Sequence, residues 1–438
     1  MSQYTKYKLY KLQQRISGSS DTWIDVVPTT YSYDGNGTQT PVIVEEQSAD
    51  CGYVPPIEPI YKWENMNINT DYICDECPIP KNYKLTTNVE VIECDSSSAL
   101  TSDDTTGYRS QISYADVGDC VTSIGDDTFY CSTAMTTAII GRNVNYVGSA
   151  FDSCYALTSV TIPDSVEVLH YTFMNCRSLK RINSDVNGVF NMPNYLTSLS
   201  GSVFYGCSGL TNIEIPNSVS GGLAGTFENC SNLSSVTMSN SISGLGGTFW
   251  NCTNLKRVNS NLDGVVNIPN SVTSIGDYCF TNCTSIQIVN LPNSLTNLGV
   301  STFSGCTSLS SINIPTSVTT IGSGAFYNCT HLTSIDIPNS VTSIGVSAFS
   351  NCSSATTLTV GSGVTVIGNY AFKYCSNLTS ITIYAATPPS LGYSQVSGTN
   401  VFNNTNNCPI YVPSASVDTY KSASGWSTYA SRIQAITT

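Results

Sequence analysis

Between about residues 120 and 385 the apolar positions of the chain recur in one fixed phase, roughly F-x-x-C-x-x-L-x-x-I-x-I-P-x-S-V-x-x-I-G. In the copy AFYNCTHLTSIDIPNSVTSIG, residues 325–345, Ile335 and Ile337 have the two-residue period of a strand. Ser334 and Asp336 then point to the opposite face. Pro338 cannot donate to a ladder, so it ends the strand and starts a turn. Val341-Thr342-Ser343-Ile344 forms a second short extended piece, closed by Gly345, which is free to adopt positive φ. Phe326 plugs the interior from a compact turn. One copy alone cannot bury its Phe, Leu, Ile and Val. Stacked copies can, as a solenoid of parallel strands about 4.8 Å apart.

Each copy carries one cysteine: Cys154, Cys176, Cys207, Cys230, Cys252, Cys283, Cys306, Cys329, Cys352 and Cys375. Successive ones stand 22 or 23 residues apart, except for two intervals of 31. A buried free thiol suits such a position. Stacked equivalents are also close enough for bridging, but their side chains point the same way, which fits a ladder of free thiols and a reducing site of synthesis.

The phrase resembles the leucine-rich repeats of the BspA type, also called the Treponema pallidum type, in ten or more copies. That resemblance implies a curved solenoid with a parallel sheet on its concave face, used in adhesion and recognition. The tail from Cys408, CPIYVPSASVDTYKSASGWSTYASRIQAI, resembles C-terminal caps of Bacteroidetes repeat proteins. There Tyr411, Val412, Trp426, Tyr429 and Ile433 are expected to seal the last repeat. The fold expected is a β-rich leucine-rich-repeat solenoid over residues 101–390, with a parallel concave sheet, short second strands and turns. An N-terminal β docking region precedes it at 1–100, and a small α/β cap follows at 391–438.

Two copies depart from the phrase. SLKRINSDVNGVFNMPNYLTSLS starts at Ser178 and NLKRVNSNLDGVVNIPNSVTSIG at Asn254, 76 residues later, as if a block of three repeats were duplicated. Asn183, Asp185, Asn187 and Gly188, like Asn259, Asn261, Asp263 and Gly264, have the spacing of a calcium loop. Each loop holds a single carboxylate, and Asn194 or Asn270 stands where an EF-hand places Glu. Asn187-Gly188 and Asp263-Gly264 between apolar residues are instead two-residue hairpin signals, so a protruding hairpin is expected at each site.

The outward positions of the concave strands are mostly Ser, Thr and Asn, which fit a pleated surface and also offer hydrogen bonds to a glycan or protein. The candidate binding residues are Arg181, Asn183, Glu214, Arg257, Asn259, Asn290, Asn313 and Asp336. Arg181 and Arg257 stand out as long cations suited to carboxylates or acidic sugars.

Charge narrows the partners. A net charge of −13, with only 11% charged residues and no Lys/Arg run, disfavours nucleic acid. No apolar run reaches membrane-spanning length. The first residues, MSQYTKYKLYKLQQRISG, lack the apolar core of a secretion signal. His170 and His331 lie in no nucleophile, zinc-protease or phosphate-loop motif. No catalytic residue, metal or cofactor is expected, and the chain reads as non-enzymatic. The N-C-S and N-C-T triplets at Asn229, Asn251, Asn282, Asn328 and Asn351 follow from the repeat phrase itself and read as coincidental glycosylation signals.

Residues 1–100 differ in kind. QQRISGSSDTWIDVVPTTY reads as a hairpin. Cys51, Cys74, Cys77 and Cys94 contain a single C-x-x-C, leaving free thiols, disulfides or a zinc site open. The run S-x-D-x-W-x-D-V-x-P, then D-C-G-Y-V-P-P, then Y-K-W-x-N-M, resembles short β modules near the N-termini of virion proteins from Bacteroides-infecting phages. That implies a docking segment for other virion structural proteins. The function expected is a phage virion appendage, a head or tail fibre, that docks by residues 1–100 and presents its repeats to a host surface glycan or protein. The alternative is a bacterial cell-surface adhesin. Self-association into a homo-oligomer is left open.

Overall fold

The computed structural model describes residues 99–107, 109–119, 121–392 and 401–437, apart from the side chain of Ser200. It also describes the backbone of short strands at Thr5–Lys6, Lys11–Arg15, Trp23–Asp25, Thr30–Tyr33, Gln39–Val42, Tyr83–Thr86 and Glu93–Cys94. From residue 99 the chain winds as a coil with two walls of parallel strands. The I-x-I segments form the first wall, in sheets of four, six and five strands. The V-x-x-I segments form the second, in sheets of five and eight. In the most regular stretch Ser334–Ile337 pairs in register with Thr357–Val360, and that strand with Ser380–Ile383. The repeat solenoid read from the phrase is therefore the observed fold.

The interior is built in columns. Phe129, Phe151, Phe173, Phe204, Phe227, Phe249, Phe280, Phe303, Phe326, Phe349, Phe372 and Phe402 stack face to face, with neighbouring centroids 4.8–5.8 Å apart. Beside them runs the thiol column. Each S–H donates to the backbone carbonyl of the phenylalanine one coil earlier: Cys154 to Phe129 at 3.1 Å, Cys283 to Phe249 at 3.1 Å, Cys375 to Phe349 at 3.2 Å. The thiols are free. Cysteine is thus small and apolar enough to bury, yet satisfies a carbonyl that would otherwise be orphaned.

The residue before each of these cysteines has a left-handed backbone, as at Asn229, Asn251, Asn282, Asn328 and Asn351, all at φ near 60°. Asparagine tolerates that conformation. Its amide then reaches the next rung, Asn251 Nδ2 to Asn229 Oδ1 at 2.8 Å and Asn282 Nδ2 to Asn251 Oδ1 at 2.7 Å. The N-C-S/T triplets are accounted for by this ladder.

Gly345 is required for a different reason from the one its turn suggested. It is not among the glycines at positive φ. A Cβ there would lie 2.5 Å from the carbonyl carbon of Gly322, and one on Gly368 would lie 2.5 Å from that of Gly345. The glycine column lets successive coils approach closely.

The inserted segments are not hairpins. A hairpin would return antiparallel, whereas Ile182 bridges Phe190 in parallel and Arg257–Val258 pairs in parallel with Val265–Asn267. Each insertion is a short extra coil that adds a rung to the first wall. The second wall skips it, pairing Val168 directly with Ser198 and Gly244 with Ser274. The Asn-Gly or Asp-Gly turn supplies positive φ at Gly188 and Gly264, but the neighbouring coil sets the strand direction.

At the C-terminus the helix Val417–Ser422, the 3-10 turn Trp426–Arg432 and the strand Ile433–Ala435 close the stack. Trp426 sits 5.7 Å from Phe402, the last ring of the spine, and its Nε1–H donates to the Pro389 carbonyl at 2.7 Å. Val412, Trp426, Tyr429 and Ile433 are buried as expected. Tyr411 is only half-buried, because it alternates outward between Ile410 and Val412. Tyr420, missed by the sequence reading, is buried in its place and donates its hydroxyl to Ala385 at 2.8 Å. At the other end Lys11–Arg15 pairs antiparallel with Trp23–Asp25, in agreement with the expected hairpin. Cys51, Cys74 and Cys77 and the side chain of Cys94 lie outside the described residues.

Candidate recognition surface

All eight candidate residues lie along the outer face of the first wall, but not in equivalent states. Glu214, Asn290, Asn313 and Asp336 are exposed. Asn290 and Asn313 stand directly opposite one another in register, and Asn267 precedes them. The Asn290 amide donates to Asn267 Oδ1 at 2.7 Å. Ser334 donates to Asp336 Oδ2 at 3.2 Å. A column of amides therefore runs through Asn267, Asn290 and Asn313.

Asn183 and Asn259 are half-buried and committed within the chain. The Oδ1 of Asn183 accepts from the Ile162 N–H at 2.7 Å, and its Nδ2 donates to the carbonyls of Ile162 and Asn191 at 2.9 and 3.0 Å. Asn191 returns the bond to the Asn183 carbonyl at 3.0 Å. Asn259 repeats this, accepting from the Met238 N–H at 2.7 Å, while Asn267 donates to the Asn259 carbonyl at 2.9 Å. These side chains end one strand and clamp the extra coil. The oxygen that a calcium loop needs from Asn183 or Asn259 is already occupied by a backbone N–H. Asn191 and Asn267 escaped the sequence reading because the insertion was read as leaving the wall.

The two arginines are equivalent by duplication and differ in their company. Arg257 Nε lies 3.5 Å from Asp263 Oδ1 in its own insertion loop. Arg181 Nη1 lies 3.5 Å from Asn187 Oδ1, the neutral counterpart, and its Nε donates to Ser159 Oγ at 3.0 Å. Asp185, the carboxylate of the loop beside Arg181, makes no ion pair with it among the described residues, whereas Asp263 does so with Arg257. Four strand spacings separate the two arginines, about 20 Å. On the first rung of the same wall, burial pushes the Asp116 carboxyl up to about 6, with Asp119 nearby adding to the shift.

His331 is exposed, its Nδ1 2.5 Å from the Thr307 carbonyl, and His170 packs edge-on to Tyr171 at 4.3 Å. Among the described residues no three His, Cys, Asp or Glu side chains converge as a metal site, and no helix is long and apolar enough to cross a membrane. Burial pushes the thiols of Cys154, Cys252, Cys283 and Cys306 up, Cys154 to about 12. They are therefore poor nucleophiles.

A family model described as "BspA type Leucine rich repeat region" matches residues 82–180, 186–265 and 259–379, in six copies. Among solved structures, a leucine-rich repeat protein from Bacteroides ovatus is 25% identical, with 74% of this chain and 95% of that chain covered and a TM-score of 0.47. A leucine-rich cell surface protein from Faecalibacterium prausnitzii is 20% identical, covering 88% and 99%, at 0.46. The pneumococcal vaccine antigen PcpA is 19% identical, covering 74% and 77%, at 0.47. A search of curated proteins found no match.

Proposed function

The chain belongs to the BspA-type leucine-rich repeat family, and from that premise we propose that it is a non-enzymatic recognition protein that presents the outer face of its first wall to a surface glycan or protein. The observation that supports this most directly is the repeated arginine. Arg181 and Arg257 recur four rungs apart on a face made mostly of short amides and hydroxyls, where two guanidinium forks can engage separated anionic groups on one extended ligand. The exposed amides of Asn290 and Asn313 extend the same face. Low-entropy polar groups of this kind form specific hydrogen bonds at small ordering cost.

The family supports a place on a bacterial surface. The motifs within residues 6–95 support a second placing, on a virion, with that segment docking to other structural proteins of the particle. Mass spectrometry of purified phage particles and of cell envelopes from the same culture separates the two: enrichment in particles supports the virion appendage, and recovery in envelopes alone removes it. For the binding face, Arg181→Ala with Arg257→Ala should weaken attachment to intact cells at least tenfold and flatten its salt dependence. Attachment equal to that of the unaltered chain would remove the arginines from the site.

A further inference from the structure

We propose that a lateral groove around Tyr370, Lys373 and Tyr374 binds a short run of hexopyranose units, a site separate from the first wall; it rests on the reading of the chain as a recognition protein. The groove encloses about 460 Å³ and spans three coils, with Tyr327, Ser347 and Asn351 completing it. Its lining contains tyrosine, serine, asparagine and lysine and no aliphatic side chain. Lys373 Nζ stands 5.1 Å from the Tyr370 ring centre and 4.6 Å from that of Tyr374.

The tyrosines are not placed there by packing. Tyr370 and Tyr374 have φ of 63° and 64°, a left-handed backbone that bulky residues seldom adopt. One and two coils earlier, the position of Tyr374 holds Asn351 and Asn328; that of Tyr370 holds Ser347 and Gly324, with tyrosine at Tyr278 and Tyr171 further back. Serine, glycine and asparagine suit the backbone better, and both rings are left exposed at 38% and 45%. Strain kept at an exposed site, with no burial in return, points to a role outside the fold. Tyr374 also ends the asparagine ladder. Asn351 donates to Asn328 Oδ1 at 2.6 Å, but no amide follows to donate to Asn351 Oδ1. An acceptor is thereby available beside two aromatic faces.

A pyranose matches this surface. Its C–H face stacks on an aromatic ring, and its hydroxyl edge meets the ammonium, the serine hydroxyl and the free amide oxygen. Across the three coils of the groove the Phe326, Phe349 and Phe372 rings succeed one another at 4.8 and 5.7 Å, a range that brackets the advance of roughly 5 Å per hexopyranose along a glycan chain. Four and five coils back on the same side, Tyr278 and Trp250 stack at 5.0 Å, a second aromatic platform. A peptide would need a recess for an apolar anchor, which this lining does not provide.

The test uses the full chain, immobilised glucose, galactose, mannose and N-acetylglucosamine oligosaccharides, and intact cells before and after periodate oxidation. Tyr370→Ser with Tyr374→Asn installs residues the neighbouring coils already use, so the variant should fold with an equal or higher Tm. The expected result is oligosaccharide binding by the native chain that falls at least tenfold in the double variant. Equal binding by the double variant overturns the groove and leaves the recognition reading standing. Undiminished attachment to periodate-treated cells overturns the glycan in favour of a protein ligand. If the native chain attaches to no cell and no sugar, both readings fail.

Discussion

The inside and the outside of the coil share one period and differ in how strictly they keep it. Inward columns hold one residue type over many coils: phenylalanine from Phe129 to Phe402, cysteine from Cys154 to Cys375. Outward columns at the same period hold Ser159, Arg181, Asn212, Ile288 and Thr357 in equivalent places. The repetition therefore records a packing requirement. Repetition fails at the arginines, the inserted coils and the two tyrosines, the positions on which the proposed binding rests.

The largest expected effect tests the inner uniformity as a whole. The ten thiols from Cys154 to Cys352 are all pushed up by burial. In the unfolded chain they would ionise at ordinary values, so folding is favoured below that range and loses ground as pH rises toward the folded values. Each contributes about 1.4 kcal/mol per pH unit across that window. Acting together they should make alkaline unfolding steep, complete between about pH 9 and 11. Circular dichroism across that range checks this, and signal unchanged at pH 12 would mean the thiols are not sealed from water.

Single sites come next. Phe280→Ala in mid-spine should cost about 3–5 kcal/mol, and Asn313→Ala on the outer face less than about 0.5. Urea titration of the two variants measures the contrast directly. Cys283→Ala removes the donor to the Phe249 carbonyl and should cost about 1–3 kcal/mol, with Cys283→Ser recovering part of it by restoring a donor. A smaller effect distinguishes the two arginines. Asn187→Asp gives Arg181 the carboxylate that Arg257 already has. It should alter stability by about 0.5 kcal/mol or less while weakening attachment to anionic surfaces.

The sequence made the architecture legible because a two-residue alternation, a proline and a buried aromatic recur too often to admit another fold. Sealing of the last coil was legible for the same reason, except at Tyr411, where period two faces the ring outward. What stayed hidden depends on the neighbouring coil. Gly345 is read from sequence as a flexible turn, but it answers to the backbone of Gly322. Asp263-Gly264 reads locally as a hairpin, but the direction of the returning strand is fixed by Val258. Of the candidate binding residues, Asn183 and Asn259 proved to be engaged in holding the extra coils. Tyr374 carried a usable signal, since its ring stands in a column that from Ser153 to Asn351 holds only Ser, Asn and Gly.

The inserted coils have a geometric consequence. Each thickens one side of the stack by a strand and leaves the other side unchanged, so they act as wedges between otherwise equal slices. Two of them make the first wall longer than the second by about 10 Å. The extra length enters at Phe190 and Val266, in the rungs next to Arg181 and Arg257, so the cations stand where the two walls fall out of step.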